Sequence, residues 1–540
     1  MNPRTLDPKS PETYPSTRVV DTGVPKLNIQ HLERSRTVQG AVNRHLKSAS
    51  KWREIVMASV EARQQDHAAM IRGRRFAMLI DGELVDGATS QNVIDPATED
   101  VIATAPVADS AQVDQAVHAA LKAFHTWQHS TFSERSTIID RIADAIEKRR
   151  EEIARIITLE NGKPLKSAQD EVDWSLSWAR HVAGCSIEST IIRDDATSRI
   201  KIRHKPIGVV AAIIPWNFPF FQMVYKVVPA LFCGNTVVVK PAPTTPLNAM
   251  VMGEILQEII PKGVVNIVGD LGEAGPHLTS HSDVGKVSFT GSTAAGRKVM
   301  ASSAETLKRV VLELGGNDAA IVMDDADVEK VAEEIFSWAF VNSGQVCINI
   351  KRVFVPRPLY DRFCDAFASH ARAATLGHGL APETDLGPVQ NARQYEAAKA
   401  YLELAKKDGT VIAGGNIPDV PGYFVEPTVV RDIDDASALV REETFGPVRS
   451  ILSYDDLEDA VARVNDTPYG LGNSVWGSDL DRAAAVADRL EGGTSWVNTH
   501  FSLAPDVPFG GRKQSGIGVE FGIQGIMEFT ETHVINVSKG

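Results

Sequence analysis

Short, almost wholly apolar runs recur along most of the chain and alternate with longer amphipathic stretches. Between residues 206 and 315 these runs are "VVAAIIP", "NTVVVKP", "VVNIVGD", "KVSFTGS" and "RVVLELGG". Runs without a polar face are typical of strands buried on both sides, as in a parallel sheet covered by crossover helices. The pattern therefore predicts a doubly wound α/β unit over residues 206–315.

A second series of apolar runs follows and predicts another α/β lobe. Its members are "AAIVM", "RVFVP", "TVIAGG", "YFVEPTVV", "VRSILSY", "GNSVWG" and "TSWVN". Their length and their β-branched and aromatic content are those of strands. The chain is therefore expected to contain two sheet-based lobes.

The segment before the first lobe predicts a hairpin and two helices. "FAMLIDGELVDG", which starts at Phe76, places two apolar runs around an Asp-Gly pair, a combination typical of tight hairpin turns. Apolar residues then recur every three or four positions over residues 113–124, behind Asp109 and Ser110, which suit a helix N-cap. A second helix is predicted from about residue 133 to residue 159. The folded body is expected to start at Phe76.

The residues before Phe76 form a different kind of segment. Residues 1 to about 30 are polar and dotted with prolines, which predicts a flexible tail. Residues 41–75 are rich in Ala, Arg and Glu without helix breakers, which favours one or two surface helices. We treat residues 1–75 as an N-terminal extension whose role the sequence does not indicate.

Composition narrows the class of protein. The chain has 540 residues, of which 43% are hydrophobic and 23% charged, so two or three globular domains are expected. The net charge of -13 repels phosphodiesters and disfavours a nucleic-acid partner. No window approaches the roughly 20 apolar residues that span a bilayer, and the N-terminus lacks the apolar core of a secretory signal. We expect neither a nucleic-acid nor a membrane partner.

The four cysteines, Cys185, Cys233, Cys347 and Cys364, show neither a disulfide framework nor the CxxC spacing of a zinc site. A reducing compartment, and hence the cytoplasm, fits best, and no metal is expected. A lone cysteine in a large chain is more often a buried apolar residue than a nucleophile. Cys347, within "NSGQVCIN", can therefore be assigned as a nucleophile only if other catalytic residues accompany it.

Chemically distinctive residues follow several predicted strands, where open parallel sheets bind their ligands. They include Asn217, Lys240 and Glu313, and the loop "GSTAAG" with Gly291 and Gly296. That loop could bring backbone close to a pyrophosphate at a helix N-terminus, but it is not GxGxxG, and such a glycine pair is usually an ordinary turn. Taken singly, the lysine and the glutamate read as solvated side chains.

Taken together and in order, these motifs resemble the aldehyde dehydrogenase superfamily. The resemblance covers the chain from about Phe76 to its C-terminus. Within the superfamily the chain looks closest to a bacterial and fungal group described as AldA-like. The motifs are "PWNFP" (215–219), "KPAPTTP" (240–246), "FTGST" (289–293), "ELGGND" (313–318), "GQVC" (344–347), "EETFGP" (442–447) and "PFGGRKQSGIG" (508–518).

The resemblance implies an α/β fold of the aldehyde dehydrogenase type. It comprises a Rossmann-type NAD(P)-binding domain (76–190 and 206–312), an α/β catalytic domain (313–510) and a small oligomerisation sheet (191–205 and 526–540). Homodimers or homotetramers follow by analogy, and the sequence does not choose between them.

The resemblance also implies a reaction, the NAD(P)-dependent oxidation of an aldehyde to a carboxylic acid. Cys347 would attack the carbonyl as a thiolate, and the Asn217 amide with the Cys347 backbone N–H would stabilise the oxyanion. Glu313 would be the base that activates water to hydrolyse the thioester. Relatives that pass the acyl group to coenzyme A usually lack this carboxylate, so hydrolysis is expected.

The cofactor is expected to be NAD, with NADP open as an alternative. Many relatives that prefer NAD carry a Glu three residues after the lysine, where this chain has Pro243, so the repulsion of a 2′-phosphate is absent. Lys240 would bond one ribose, Glu443 the other, and Phe445 would support the nicotinamide. The residues implied to bind the cofactor are Pro215, Trp216, Lys240, Gly291, Ser292, Glu443 and Phe445.

The residues implied to line the substrate tunnel are mostly apolar, without a clear arginine. A carboxylate-bearing substrate would want a cationic partner, so a hydrophobic aliphatic or aromatic aldehyde is expected. The alternative is that several of these residues simply pack the lobe core. They are Phe218, Gln222, Tyr225, Val341, Val346, Ile348, Phe501, Leu503 and Phe509.

Two other classes of protein remain to be weighed. A cofactor-independent thiol esterase could use Cys347 with Glu313, and is distinguished by whether turnover requires nicotinamide. A catalytically inactive binding protein could retain the same fold, and is distinguished by whether it binds cofactor and turns over.

Overall fold

The structure, a computed structural model, describes residue 71 and residues 73–540. The predicted tail and most of the predicted N-terminal helical segment lie outside the described residues. The described strands, in chain order, are β1 (Met78–Ile80), β2 (Glu83–Val85), β3 (Thr89–Ile94), β4 (Val101–Val107), β5 (Thr190–Asp194), β6 (Ser198–Pro206), β7 (Val209–Ile213), β8 (Thr236–Lys240), β9 (Val265–Ile267), β10 (Val284–Thr290), β11 (Arg309–Glu313), β12 (Ala319–Val322), β13 (Arg352–Pro356), β14 (Thr410–Ala413), β15 (Thr428–Arg431), β16 (Val448–Tyr454), β17 (Gly472–Trp476), β18 (Thr494–Val497), β19 (Gly516–Ile517) and β20 (Thr530–Ser538).

Helices alternate with the strands through both lobes, a tight turn with left-handed residues covers Val341–Gly344, and a short 3₁₀ turn covers Lys513–Ser515. The described α-helices are α1 (Ser110–Trp127), α2 (Phe132–Lys148), α3 (Arg150–Asn161), α4 (Leu165–Ala183), α5 (Pro219–Phe232), α6 (Leu247–Ile259), α7 (Ala274–Ser280), α8 (Thr293–Ala304), α9 (Val328–Phe340), α10 (Arg357–Ala373), α11 (Ala392–Asp408), α12 (Ala438–Arg441), α13 (Leu457–Asn465), α14 (Leu480–Ala487) and α15 (Gly522–Met527).

The predicted hairpin and its following helix are confirmed. β1 and β2 pair antiparallel, and both turn residues, Asp81 (φ 51°) and Gly82 (φ 77°), adopt the left-handed conformation that a two-residue turn of this hand needs. α1 begins behind Asp109, whose side chain accepts from the Gln112 amide at 2.8 Å in a capping box. Both features depend on residues that are close together in the sequence, which is why the sequence predicts them.

The predicted single helix over residues 133–159 is wrong, because the chain forms two helices, α2 and α3, with Arg149 between them (φ -106°, ψ 14°). The Arg149 guanidinium pairs with Glu152 in the first turn of α3 and with Glu254 on α6, each at 2.7 Å. Acidic residues in a first turn stabilise a helix N-terminus. The break thus depends partly on a tertiary ion pair, since no glycine or proline marks it.

The first lobe is built on an eight-stranded sheet in the order β19-β11-β10-β7-β8-β9-β1-β2. β7 to β11 are parallel, and the chain leaves β7 through β8 and β9 on one side before it returns to β10 and β11 on the other. The sheet is therefore doubly wound, as predicted, with its switch point between β7 and β10. β7 and β8 are buried along their whole length, which explains their unbroken apolar sequences.

The second lobe is built on a seven-stranded sheet in the order β14-β15-β16-β13-β12-β17-β18. Within it only β14 is antiparallel to its neighbour. Each predicted run of this region contains a strand, although "YFVEPTVV" is strand only from Thr428. Pro427 has no amide N–H for the ladder, so the strand starts behind it.

Two smaller sheets complete the described fold. β3 and β4 form one, and β20, β6 and β5 form an antiparallel sheet in that order. The second sheet contains the segments expected as oligomerisation strands, but residues 526–527 belong to α15, and β20 starts at Thr530. Ile191, Ile192, Val534 and Val537 on this sheet are each about half exposed.

Removal of the α1 cap offers a test of the fold. We expect Asp109→Ala to lower the free energy of unfolding by about 1 kcal/mol, because the Gln112 amide loses its acceptor. Asp109→Asn keeps an acceptor oxygen and is the matched control. Urea unfolding followed by circular dichroism measures both, and equal stability of Asp109→Ala and the unchanged protein would contradict the role of the cap.

Candidate active site

The carboxyl ends of the central strands of the first sheet meet along one edge. In the strand register Ile213 lies opposite both Lys240 and Phe289, and Thr290 lies opposite Glu313. The residues that follow these strands are therefore neighbours in space although they are far apart in sequence. This edge brings together the candidate residues of four motifs.

Asn217 lies in the loop between β7 and α5 and is buried. Its Oδ1 accepts from Gln222 Nε2 at 3.0 Å, and its Nδ2 donates to the Gln345 carbonyl at 3.1 Å. An amide NH₂ carries two hydrogens, and the Gln345 carbonyl takes one of them. The second N–H is available for an acceptor beside the Cys347 loop.

Cys347 follows a tight turn that packs against the second lobe. The backbone of this turn is left-handed at Asn342 (φ 51°), Ser343 (φ 54°) and Gly344 (φ 76°). A Cβ at Gly344 would lie 2.2 Å from the Gly446 carbonyl oxygen, so the turn requires a glycine there. Backbone held in this sparsely populated region is common where a fold positions reactive groups.

The Cys347 thiol is held in its neutral form. Burial raises the pKa of Cys347 to about 12, the buried Lys351 ammonium lowers it, and the carboxylates of Glu443, Glu313 and Asp318 raise it further. Lys351 Nζ also donates to the carbonyls of Val346, at 2.9 Å, and Cys347. The lysine therefore both fixes the cysteine turn and supplies positive charge near it.

Glu313 ends β11 with its carboxyl group fully inside the protein. Among the described residues neither of its oxygens has a hydrogen-bond partner of ordinary geometry. Burial, followed by the charge of Glu520, raises the pKa of Glu313 well above its usual value, while the Lys226 ammonium and the Gly511 amide act in the opposite direction. Such a carboxyl group can take up a proton near neutral pH.

Lys226 and Glu520 form a buried ion pair behind Glu313 that the sequence analysis missed. The two side chains meet at 2.6 Å, and Ser288 Oγ lies 3.1 Å from Lys226 Nζ. The available signal was a single lysine inside the apolar helix α5. Its partner follows 294 positions later, so local pattern could not show the pairing.

The candidate cofactor residues from the first lobe lie along the same edge. Lys240 Nζ pairs with Asp270 at 3.1 Å, and Asp270 also accepts from the amides of Gly272 and Ala274. Burial acts to raise the pKa of Asp270, but Lys240 and these amides lower it overall. Asp270, which the sequence analysis did not single out, thus holds the Lys240 ammonium in place.

The "GSTAAG" loop leads into helix α8 as expected of an anion-binding turn. Ser292 caps the helix by accepting from the Ala295 amide at 3.3 Å, and the Gly291 amide donates to the Glu313 carbonyl at 3.0 Å. A Cβ at Gly296 would lie 2.4 Å from Leu314, so this glycine permits close packing of helix against strand. The N-terminus of α8 therefore lies directly beside the β11 end.

The second lobe supplies Glu443 and Phe445 to the site. Glu443 Oε1 accepts from the Gly316 amide at 3.0 Å, and a Cβ at Gly315 would lie 2.2 Å from Glu443 Oε2. The Phe445 ring packs edge-on against Trp216 with centroids 5.4 Å apart. Both lobes thus form a glycine-lined cradle with an acidic side chain and two aromatic rings.

The predicted tunnel residues gather in one apolar cluster beside Cys347. Phe218, Tyr225, Val346, Ile348 and Phe509 are buried there, with Val341, Phe501 and Leu503 at its margin. Trp174, which the sequence analysis missed, contacts Phe218, Phe221 and Phe501 with ring centroids 5.9–6.2 Å apart. Gln222 lies apart from this surface, since it holds Asn217 and accepts from the Tyr225 hydroxyl.

The chain as a whole matches a known family. A model of the aldehyde dehydrogenase family matches residues 84–535. The chain belongs to the aldehyde dehydrogenase family. A mitochondrial aldehyde dehydrogenase of Leishmania tarentolae is 40% identical over 468 residues, covering 85% of this chain and 94% of the relative. Human aldehyde dehydrogenase 1A1 is 39% identical over 455 residues, covering 82% and 91%.

Solved aldehyde dehydrogenase structures show the same fold. An NAD⁺ complex of the Bacillus cereus enzyme has a TM-score of 0.86 and 39% identity, and covers 88% of this chain and 98% of that one. Betaine aldehyde dehydrogenase from Staphylococcus aureus in complex with NAD⁺ has a TM-score of 0.86 and 32% identity, and covers 88% and 97%. The α/β architecture of the aldehyde dehydrogenase type is thereby confirmed.

Two further features concern metal ions and membranes. Among the described residues, His118, His281 and Asp283 form a group that could hold a metal ion, on α1 and before β10 rather than among the residues around Cys347. The described helices also lack the combination of length and apolar character that a bilayer-spanning segment requires.

The raised pKa of Cys347 makes a prediction about its reactivity in this aldehyde dehydrogenase. Because only the thiolate is alkylated rapidly, the rate with iodoacetamide should rise about tenfold per pH unit between pH 7 and 9. Mass spectrometry of the Cys347 peptide measures it, with Cys347→Ser as the control for peptide assignment. A plateau already reached near pH 7 would contradict the neutral thiol.

Proposed function

We propose that the protein oxidises a hydrophobic aliphatic or aromatic aldehyde to its carboxylic acid with NAD, through a thiohemiacetal and a thioester on Cys347. One observation carries the proposal. The free N–H of the buried Asn217 amide, the Cys347 turn and the unpartnered Glu313 carboxyl lie at one edge of the sheet beside an apolar cluster.

In the first step, the Cys347 sulfur forms a bond to the carbonyl carbon, and the C=O π electrons move to oxygen. The thiol proton leaves through water to the solvent, so that Glu313 is still free to accept a proton in the later hydrolysis. The oxyanion accepts from the second Asn217 N–H and from the Cys347 amide, which has no acceptor among the described residues. Loss of one such donor typically costs about 10²–10³ in rate.

The residues around the cradle fit NAD. Lys240, held by Asp270, and Glu443, held by Gly316, offer hydrogen-bonding groups for ribose hydroxyls, and the N-terminus of α8 suits a pyrophosphate. Gly315 lets the Glu443 carboxylate approach the backbone, since a Cβ there would lie 2.2 Å from Glu443 Oε2. When bound, NAD supplies the hydride acceptor that converts the thiohemiacetal to a thioester.

Glu313 then acts as the base that takes a proton from water as the water oxygen bonds to the thioester carbon. The C–S bond breaks as the carbonyl re-forms, and the sulfur leaves as the Cys347 thiolate. The Lys226–Glu520 pair behind it keeps a buried charge of each sign within electrostatic reach. A water-activating carboxylate at this position favours hydrolysis over transfer of the acyl group to coenzyme A. The free acid is thus the proposed product.

NAD is the proposed cofactor, with NADP as the alternative that Pro243 leaves open. Pro243, whose carbonyl accepts from Gln91 Nε2 at 2.9 Å, has no carboxylate of its own to repel a 2′-phosphate. The ratio of kcat/KM with NAD to that with NADP measures the preference.

The apolar cluster beside Cys347 favours a hydrophobic substrate. The Lys163 ammonium lies over the Phe218 ring, 3.8 Å from its centroid, but it is paired with Glu171 and does not offer a free cation to a carboxylate. A panel of apolar, aromatic and carboxylate-bearing aldehydes, followed by the absorbance of reduced nicotinamide, tests the class. Preference for the carboxylate-bearing members would overturn it.

We further propose a cytoplasmic homodimer or homotetramer in which β5, β6 and β20 mediate assembly. The half-exposed apolar residues of that sheet and the four free cysteines support this reading. The domain limits predicted from the sequence, with cofactor binding in the first lobe and catalysis over residues 313–510, are part of the same proposal.

Replacement of the nucleophile tests the reaction. Cys347→Ala should abolish aldehyde oxidation while NAD binding, measured by calorimetry, persists, because the cradle does not involve the sulfur. Cys185→Ser, which removes a half-buried thiol away from the site, is the matched control. Turnover retained in Cys347→Ala would sink the assignment, and ester hydrolysis without any NAD-dependent oxidation would favour a thiol esterase.

The pH dependence tests Glu313. A base works only when deprotonated, and the pKa of Glu313 is raised, so kcat should rise as the pH increases through that raised value and level off above it. Glu313→Gln should lower kcat by about 10²–10⁴ and lose this dependence, whereas Glu305→Gln at the exposed end of α8 should not. An unchanged profile in Glu313→Gln would assign the proton transfer elsewhere.

A further inference from the structure

Another buried ion pair contacts the segment that carries Asn217. Lys163, just after α3, meets Glu171 on α4 at 2.5 Å, and both side chains are fully buried. Burying two charges costs several kcal/mol per ion before their attraction is counted. Because this pair has no solvent access, its remaining hydrogen-bond donors and acceptors need partners inside the protein.

Those partners are backbone groups of one short segment, residues 216–221. Lys163 Nζ donates to the Asn217 carbonyl at 2.8 Å. Glu171 Oε1 accepts from the amides of Phe220 and Phe221, at 2.9 and 3.2 Å, in the first turn of α5. The pair thus holds the segment at Asn217 itself and at the two residues three and four positions after it.

Neighbouring contacts also hold this segment. Asn161 Nδ2 donates to the Trp216 carbonyl at 2.9 Å, and its Oδ1 accepts from the Lys163 amide. The Phe218 ring lies against the Lys163 ammonium. Asn342 of the cysteine turn donates to the same Asn217 carbonyl at 3.0 Å. The Asn217 carbonyl therefore joins the Lys163–Glu171 pair to the turn that carries Cys347.

We propose that the Lys163–Glu171 pair is a positioning device that fixes the Asn217 amide as the oxyanion donor for addition to Cys347. The inference rests on the proposed function. An oxyanion donor acts only when it is held in place before charge develops. Its side-chain partners, Gln222 and Gln345, set the amide rotamer, whereas Lys163 and Glu171 set the backbone from which the side chain projects.

The rival reading is that the pair only stabilises the fold. Both readings predict a destabilised protein after Lys163→Met alone, because a buried Glu171 charge would be left unpaired. The variant to use is Lys163→Met with Glu171→Gln, which removes both charges and retains an amide oxygen to accept from Phe220 and Phe221. The Asn217 carbonyl keeps its bond from Asn342. Arg135→Met, which removes a buried cation that donates to the Phe232 carbonyl at the other end of α5, is the matched control.

A double-mutant cycle with Asn217→Ala separates the two readings. The pair variant alone should lower kcat about 10- to 100-fold, as expected when a catalytic group is displaced by about 1 Å. In the Asn217→Ala background the same pair variant should have almost no further effect, since the group it positions is gone. Equal effects of the pair variant in both backgrounds would overturn the proposal in favour of a general structural role.

Three rates are measured on each variant at a temperature where circular dichroism shows a folded protein. Aldehyde oxidation with NAD and p-nitrophenol release from p-nitrophenyl acetate without NAD both need an oxyanion donor, and should fall together. Alkylation of Cys347 by iodoacetamide forms no oxyanion and should not change. A fall in alkylation of the same size as the fall in oxidation would contradict the inference by showing a displaced cysteine turn. Wild-type protein inactive toward both substrates would instead contradict the proposed function.

Discussion

The alignment of parallel strand ends at the switch point of the first sheet is the constraint on which the site depends. β7 and β10 pair in parallel there, and their register with β8 and β11 brings Lys240, Thr290 and Glu313 to one edge. This alignment arises from backbone pairing of apolar strands, not from the polar residues themselves. The strands supply a fixed frame, and the loops behind them carry the chemistry.

Charges buried around this frame are arranged in pairs that serve the loops. Lys226 with Glu520 lies behind Glu313, Lys163 with Glu171 lies behind Asn217, and Lys240 with Asp270 faces the cradle. Glu313 stands apart, because neither of its oxygens is satisfied within the described residues. An isolated carboxyl group beside satisfied pairs is the arrangement that a proton acceptor needs.

The sequence predicted the features that depend on residues close together along the chain. Both sheets followed from unbroken apolar runs, and the hairpin at Asp81 and the start of α1 followed from turn and capping residues. Motifs that resemble the family located Cys347, Asn217, Glu313, Lys240 and Glu443. The sequence did not reveal the partners of buried charges, since Lys226 and Glu520, or Arg149 and Glu254, meet only after the chain has folded. The unpredicted break between α2 and α3 and the missed Asp270 have this same origin.

The Lys226–Glu520 pair also bears on the order in which the site is completed during synthesis. Glu520 is the most C-terminal of the site residues and follows β19, which adds to the edge of the first sheet beside β11. A growing chain that has already made Cys347 and Glu313 therefore still holds Lys226 without its counter-ion. Burial of a lone ammonium is unfavourable, so we expect the packing around Glu313 to be completed only with the segment that carries Glu520. The ion pair behind Glu313 thus depends on the last strand added to the first sheet, which is only two residues long.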